Sequence, residues 1–191
     1  MKIIGLTGGI ASGKSTVSNF LREQNIPVFD ADKVATDAAQ KGTECFEKIV
    51  KEFGQKVVDG SGEINRKALA TIVFNDKKEL KKLEAITHTY VWQGANNFLE
   101  ENKNAKIVVL DVPLLIECGW QEKVDEVWLV AISEEEQIKR AIARSKITEE
   151  EVRARIKAQM PLEEKKKHAT VILDNSKSLK DLEEQILKAL K

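Results

Sequence analysis

Met1-Lys-Ile-Ile-Gly-Leu-Thr-Gly-Gly-Ile-Ala-Ser-Gly-Lys-Ser-Thr16 opens the chain and decides how the rest is read. An apolar run, Ile3 to Leu6, passes into Gly8-x-x-x-x-Gly13-Lys14-Ser15, the strand–loop–helix pattern that cradles phosphates. Gly8 and Gly13 let the backbone turn tightly. Gly9, Ala11 and Ser12 lie between them, where successive N–H groups face an anion at the start of a helix. Lys14 can reach β- and γ-phosphates, the Ser15 hydroxyl can hold Mg²⁺, and Thr16 can add a hydroxyl at the α-phosphate. An amphipathic stretch, Thr16 to Glu23, follows as the pattern requires. The motif implies binding of a nucleoside triphosphate.

Composition narrows the partners. With 31 basic and 31 acidic residues the net charge is zero, which disfavours nucleic acid as a main partner. At 191 residues the chain suits one α/β domain with a small inserted region. Cys45 and Cys118 are far apart, form no C-x-x-C, and show no zinc spacing with His88 and His168; each is expected as a buried, reduced thiol. The first residues enter a strand directly and no apolar run approaches membrane-spanning length, so a cytoplasmic protein without a membrane partner or an obligate protein partner is expected.

Continuous apolar runs at Lys2–Leu6, Pro27–Phe29, Lys106–Leu110 and Glu126–Ala131, with a shorter one at Thr170–Leu173, alternate with helical stretches. That alternation predicts a parallel sheet covered on both faces, a three-layer α/β architecture. Ser133 with Glu136, Thr148 with Glu151, and Ser178 with Asp181 have capping-box spacing. Between about 31 and 104 helical patterns dominate, broken by the turn Asp59-Gly-Ser-Gly62. This is more helix than one crossover needs, and it predicts a helical region inserted at the ligand-binding edge of the sheet. The runs Lys165-Lys-Lys167 and Glu149-Glu-Glu151 are expected as solvated helix faces.

The reaction class follows partly by elimination. Asn102-Lys-Asn-Ala105 lacks the acid of a guanine-reading N-K-x-D, and Asp111 is followed by Val-Pro-Leu rather than the D-x-x-G of a switch. A small-molecule kinase remains, and it needs a carboxylate near the metal, a base for the acceptor and mobile positive charge. Asp111 ends the third strand, the place for a carboxylate acting on Mg²⁺. Asp30 and Asp32 follow the second strand; a carboxylate there could take the acceptor's proton, although Asp32 could equally be a helix N-cap. Arg140 and Arg144, four apart, share a helix face whose guanidinium groups fit phosphate oxygens.

Taken together, Leu6-Thr-Gly-Gly-Ile-Ala-Ser-Gly-Lys-Ser-Thr16, Phe29-Asp-Ala-Asp32, Asn65-Arg-Lys-Ala-Leu69, Asp111-Val-Pro-Leu-Leu-Ile-Glu117, Lys139-Arg-Ala-Ile-Ala-Arg144, Arg155-Ile-Lys-Ala-Gln159 and Ile172-Leu-Asp-Asn175 resemble the dephospho-coenzyme A kinase family. The resemblance runs over essentially the whole chain. It implies an adenylate-kinase-like P-loop fold and transfer of the ATP γ-phosphate to the ribose 3′-hydroxyl of dephospho-coenzyme A, the last step of coenzyme A synthesis. It further implies Asp32 as the base, an acceptor site in the helical insertion, and a short lid over roughly 140–160 that includes Arg140 and Arg144. Asn175 falls on the nucleotide side. A kinase for another nucleotide or small metabolite, or a nucleotide-dependent switch, are the rival readings. Four positions depart from the family pattern. Ala11 stands where Gly is usual and is expected to keep φ below zero; Thr89 replaces Pro, Thr170 replaces an acid, and Ser176-Lys177 replace a Gly.

Lys14→Ala tests the motif. Losing one electrostatic partner of the transition state should lower turnover on the order of 10²-fold. On the motif alone the loop is exposed before ligand binds, so folding is expected to stay intact. Near-normal turnover at saturating ATP would reject the phosphate-loop reading.

Overall fold

The computed structural model describes residues 1–145 and 147–191. Lys146, inside the stretch expected as a lid, lies outside the described residues. The chain divides into two compact units, Met1–Phe29 with Asn102–Lys191, and Asp30–Glu101.

The first unit is built on a sheet. Strands β1 (Lys2–Gly8), β2 (Val28–Asp30), β3 (Ile107–Asp111), β4 (Glu126–Ala131) and β5 (Val171–Asp174) stand in the order β2-β3-β1-β4-β5. β1 runs parallel to both β3 and β4, and β4 runs parallel to β5. Central β1 therefore delivers the glycine-rich loop to the middle of the sheet's carboxyl edge. Its register sets Leu6 beside Asp111 and Gly8 beside Val130.

Side-chain alternation along the strands aims Ile4, Leu6, Val109, Trp128, Val130 and Leu173 at one face. Helices α1 (Lys14–Glu23) and α9 (Leu179–Ala189) cover that face. Each brings a pair spaced four residues apart, Val17 with Leu21 and Leu182 with Ile186, all with no exposed surface. Ser178 and Asp181 form a capping box at the start of α9. Thr170 extends the β4–β5 ladder with its side chain: its Oγ1 accepts the Val127 N–H at 2.9 Å and donates to the Val127 carbonyl at 3.0 Å. A hydroxyl at 170 thus does a backbone's work, which a carboxylate could do only in part, lacking the proton to donate.

Helices α6 (Glu134–Ser145), α7 (Glu149–Lys157) and α8 (Leu162–His168) follow β4. The Glu136 N–H donates to Ser133 Oγ at 3.2 Å, and Thr148 with Glu151 makes a complete capping box on α7. Ile138 and Ala141 of α6 close on Val152 of α7, with Ile10 and Ala11 packed against them. The lysine run is only half as expected. Helical steps of about 100° cannot keep three consecutive residues in water; Lys166 and Lys167 pair with Glu163 and Glu164 at the surface, while Lys165 turns inward and is buried. Cys118 is likewise half-buried rather than buried.

The second unit is helical: α2 (Ala31–Ala38), α3 (Glu44–Phe53), α4 (Arg66–Asn75) and α5 (Lys77–Glu101). Its own core gathers Cys45, Ile49 and Phe53, a stripe at four-residue spacing on α3, with Val57, Leu69 and Val73. Thr43 caps α3 by accepting the Phe46 N–H, and Asn65 caps α4 by accepting the Ala68 N–H. α5 runs unbroken through Thr89, whose hydroxyl donates to the Ala85 carbonyl at 3.0 Å. Asp59 folds the turn before α4, accepting the N–H groups of Ser61 and Glu63.

Candidate active site

The phosphate loop, residues 9–13, joins β1 to α1. Two of its residues hold left-handed backbone conformations, Ala11 at φ 53° and Gly13 at φ 96°. Ala11 therefore departs from the expectation of a negative φ. The loop curls so tightly that one residue must enter the left-handed region even with a Cβ, at a cost of about 1–2 kcal/mol. Packing of Ala11 against the α6–α7 cluster supplies an offset. Gly13 has no such freedom, because a Cβ there would sit 2.0 Å from Asn175 Nδ2.

Asn175 explains why. Its carboxamide donates to the Ser12 carbonyl at 2.8 Å, bracing the loop from the side of β5. Its own N–H reaches the Ala131 carbonyl, and its carbonyl accepts from Arg140 Nη2 at 3.0 Å. Arg140 also donates from Nε to Glu136 at 2.8 Å, and this guanidinium holds the Glu136 carboxyl below the usual carboxylate range. Loop, β5 and α6 are thus linked in series through Asn175. Gln137, buried beside Arg140, closes the other side; a Cβ on Gly9 would lie 2.6 Å from its Oε1.

At the end of β3, Asp111 is 3% exposed. One carboxylate oxygen pairs with Lys14 Nζ and the other accepts from Ser18 Oγ. Lys14 and Ser18 are one helical turn apart, so α1 grips the carboxylate with two side chains from one face. Lys14→Ala would also strip Asp111 of its cation, so a stability cost of about 1–3 kcal/mol is expected beside the kinetic loss. Ser15 sits exposed in the first turn, whereas Thr16 is half-buried and donates its N–H to the Gly13 carbonyl at 2.9 Å. The Ser12 hydroxyl is buried in the loop with no hydrogen-bond partner among the described residues. A buried orphan hydroxyl inside a ring of amides suits an incoming phosphate oxygen.

Gly8, Gly9, Ala11, Ser12, Gly13, Lys14, Ser15, Thr16, Asp111, Asn175 and Arg140 all belong to the sheet-bearing unit. Arg144 lies one turn beyond Arg140, exposed, and makes no ion pair among the described residues. Asp32 belongs to the helical unit, in the first turn of α2. The N-cap there is Asp30, whose Oδ1 accepts the Lys33 N–H at 3.0 Å, so the capping alternative for Asp32 falls away. Asp32 lines an open cavity of about 510 Å³ within that unit, together with Thr36, Glu63, Arg66, Leu83 and Thr87. Motif reading missed Ser18 and Gln137. Ser18 carried a signal: a small polar residue four places after the motif lysine, on a face otherwise marked by Val17 and Leu21.

Comparison with known proteins identifies the family. The dephospho-CoA kinase family model matches residues 2–181. The curated dephospho-CoA kinase of Carboxydothermus hydrogenoformans is 45% identical over 192 aligned residues, covering 100% of this chain and 93% of that protein. Among solved structures, TT1252 from Thermus thermophilus aligns with a TM-score of 0.85 at 44% identity over 99% of this chain and 95% of its own. Dephospho-CoA kinase from Campylobacter jejuni aligns at 0.72 and 30% identity, over 100% and 96%. Shikimate kinase from Aquifex aeolicus, at 0.52 and 18% identity over 98% and 95%, shares the fold alone. The chain belongs to the dephospho-CoA kinase family, phosphotransferases that use ATP, on an α/β P-loop kinase fold.

Gly13→Ala is the sharpest structural test of the loop. The added methyl meets Asn175 and a left-handed φ at once, and nucleotide binding should weaken on the order of 10²-fold. Isothermal titration with an ATP analogue measures it; unchanged affinity would show that Asn175 does not brace the loop.

Proposed function

We propose that the chain transfers the γ-phosphate of ATP to the ribose 3′-hydroxyl of dephospho-coenzyme A, giving coenzyme A and ADP, the closing step of coenzyme A synthesis. The observation that carries the reading is the brace around the phosphate loop, with Lys14 and Asp111 paired at its floor, in a chain of this family. The loop amides and the Ser12 hydroxyl receive the β-phosphate. Lys14 leaves Asp111 for the phosphate oxygens as ATP enters, a short swing because the two partners share the same site.

Mg²⁺ fits Asp111, which that swing releases, together with the exposed Ser15. Among the described residues no group of three His, Cys, Asp or Glu could hold a metal by itself. A metal here would take one or two protein oxygens and the rest from phosphates and water, as Mg²⁺ does. Ser15 Oγ and the Asp111 carboxylate are those oxygens. When bound, the ion would neutralise charge across the β- and γ-phosphates. Arg140 and Arg144 add guanidinium charge from α6, and Asn175 keeps the loop in shape.

In the helical unit, Asp32 accepts the proton of the acceptor hydroxyl. Freed of capping duty by Asp30 and set on a cavity wall, it has the placement a base needs. The cavity, with Ile49, Ile64, Leu69 and Leu83 beside Arg66 and Thr87, mixes apolar and polar walls as a long polar-headed acceptor requires. Both substrates are small molecules, and no nucleic acid or protein partner enters this scheme. A cytoplasmic setting, with ATP at hand and both cysteines reduced, suits it. Among the described residues no helix is long and apolar enough to cross a membrane. ADP release measured with dephospho-coenzyme A, nucleoside monophosphates and gluconate tests the acceptor. Turnover with a nucleoside monophosphate or gluconate and none with dephospho-coenzyme A would reject the proposal.

Two substitutions separate chemistry from structure. Asp32→Asn should lower kcat by roughly 10²- to 10⁴-fold with ATP affinity kept, the range for a positioned base; a fall in Tm with kcat retained would remove Asp32 from the chemistry. Arg140→Lys keeps charge but cannot hold Glu136 and the Asn175 carbonyl in one planar fork, so its kcat should fall on the order of 10²-fold. Arg144→Lys should fall less. Arg153→Lys is the control, since among the described residues Arg153 pairs with Glu134 and Glu149 at the surface. Equal, wild-type-like turnover in all three would take α6 out of the mechanism.

A further inference from the structure

Lys165 is an ammonium group removed from water that the scheme above does not use. Its side chain is 2% exposed and its Nζ lies 2.8 Å from Glu117 Oε1. The same oxygen accepts the Met160 N–H at 3.1 Å. One residue earlier, Gln159 Oε1 accepts the Ile10 N–H at 3.3 Å, and Ile10 is in the phosphate loop. The link between α7 and α8 is therefore fastened on one side to the loop and on the other to Glu117. It is also fastened to its own helix, because Glu164 and Lys165 donate their N–H groups to the Pro161 carbonyl at 3.0 Å.

Burying an ammonium against a carboxylate that keeps one side to water is a poor route to stability, since an apolar side chain in its place does as well or better. A fixed position is the better explanation, and Glu117 is on a fixed support. Its segment follows β3 and is tied back to β1: Thr7 Oγ1 donates to the Pro113 carbonyl at 2.9 Å, and the Val112 N–H donates to the Leu6 carbonyl at 2.9 Å. Leu115 and Ile116, just before Glu117, are buried. A closed circuit results, from β1 through the loop to Ile10, across to Gln159 and Met160, and back through Glu117 to β1. The Ile10 amide, turned to Gln159, is withdrawn from the set that can meet phosphate and instead sets where the loop begins its curl.

We infer that Glu117 and Lys165 are positioning residues for the phosphate loop: they lock the Met160 amide so that Gln159 holds the Ile10 amide in place. Lys165 orients the carboxylate, the carboxylate fixes Met160, and Gln159 carries the constraint into the loop. The inference rests on the phosphate-loop reading and adds to it three residues from outside the motif.

Amide hydrogen exchange at Ile10, read beside steady-state kinetics, tests it in the full chain. Gln159 is half-exposed, so Gln159→Met is expected to fold, and it removes the acceptor; Ile10 exchange should accelerate and kcat/KM for ATP fall on the order of 10-fold, the scale of a small displacement in a positioned site. Glu117→Ala with Lys165→Met removes both charges and the Met160 acceptor, and should give the same two changes. Glu117→Gln with Lys165→Met keeps that acceptor without the cation that orients it, and should restore both readouts only part of the way to wild type. Adding Gln159→Met to the Glu117→Ala, Lys165→Met pair should cause no further loss, because the residues act in series. Unchanged Ile10 exchange in Gln159→Met, or losses that multiply in the triple variant, would overturn the inference. Should the Glu117→Ala pair fail to fold, Lys165→Met with Glu117 kept takes its place: faster Ile10 exchange supports the inference and unchanged exchange overturns it. A wild-type chain that phosphorylates no dephospho-coenzyme A would reject the proposed function and leave the Ile10 result standing.

Discussion

A buried carboxylate governs this structure. Asp111 ends β3 with both oxygens engaged by α1, one by Lys14 and one by Ser18. An unpaired charge at 3% exposure would be costly, so the end of β3 and the first turn of α1 are held in one arrangement. The loop between β1 and α1 inherits that arrangement. Its curl, its left-handed residues and the outward Ser15 follow once its two ends are fixed. The interaction that holds the ligand-free loop is made of groups that the proposed chemistry uses, so binding can exchange partners without rebuilding the site.

Much of the fold was legible because its strands are buried on both faces. Continuous apolar runs can hardly be read otherwise when helical periodicity lies between them, and all five strands begin within one residue of where the pattern put them. Caps were legible because Thr148 with Glu151 and Ser178 with Asp181 are local chemistry, settled within four residues. The site was legible where its chemistry is contiguous, from Gly8 to Thr16.

Legibility failed where a residue answers to a distant partner. Three lysines in a row look solvated, and nothing near Lys165 in sequence announces Glu117, forty-eight positions earlier. Asp30 and Asp32 look interchangeable until the first turn of α2 is in place and one of them caps it. Ala11 was expected at negative φ from its residue type alone, yet the closure of the loop outweighs a preference of about 1–2 kcal/mol. At Lys165 and Ala11 tertiary context decided, and at Asp30 the exact start of a helix, between states that local energetics leaves close.

The brace from Asn175 has a consequence for how such a chain is made. The glycine-rich loop is among the first segments to leave the ribosome, and the side chain that supports it comes 163 residues after the Ser12 carbonyl it holds. Synthesis at about 5–20 residues per second leaves the loop without that support for roughly ten to thirty seconds. During that interval the core can form from β1, β3, β4 and α1, but β5 and α9 are missing from it. Until β5 is made, the loop is held by Asp111 with Lys14 and Ser18 and lacks its second support. The segment made first matures last, and a chain stopped short of β5 would carry the complete phosphate motif without the side chain that braces it.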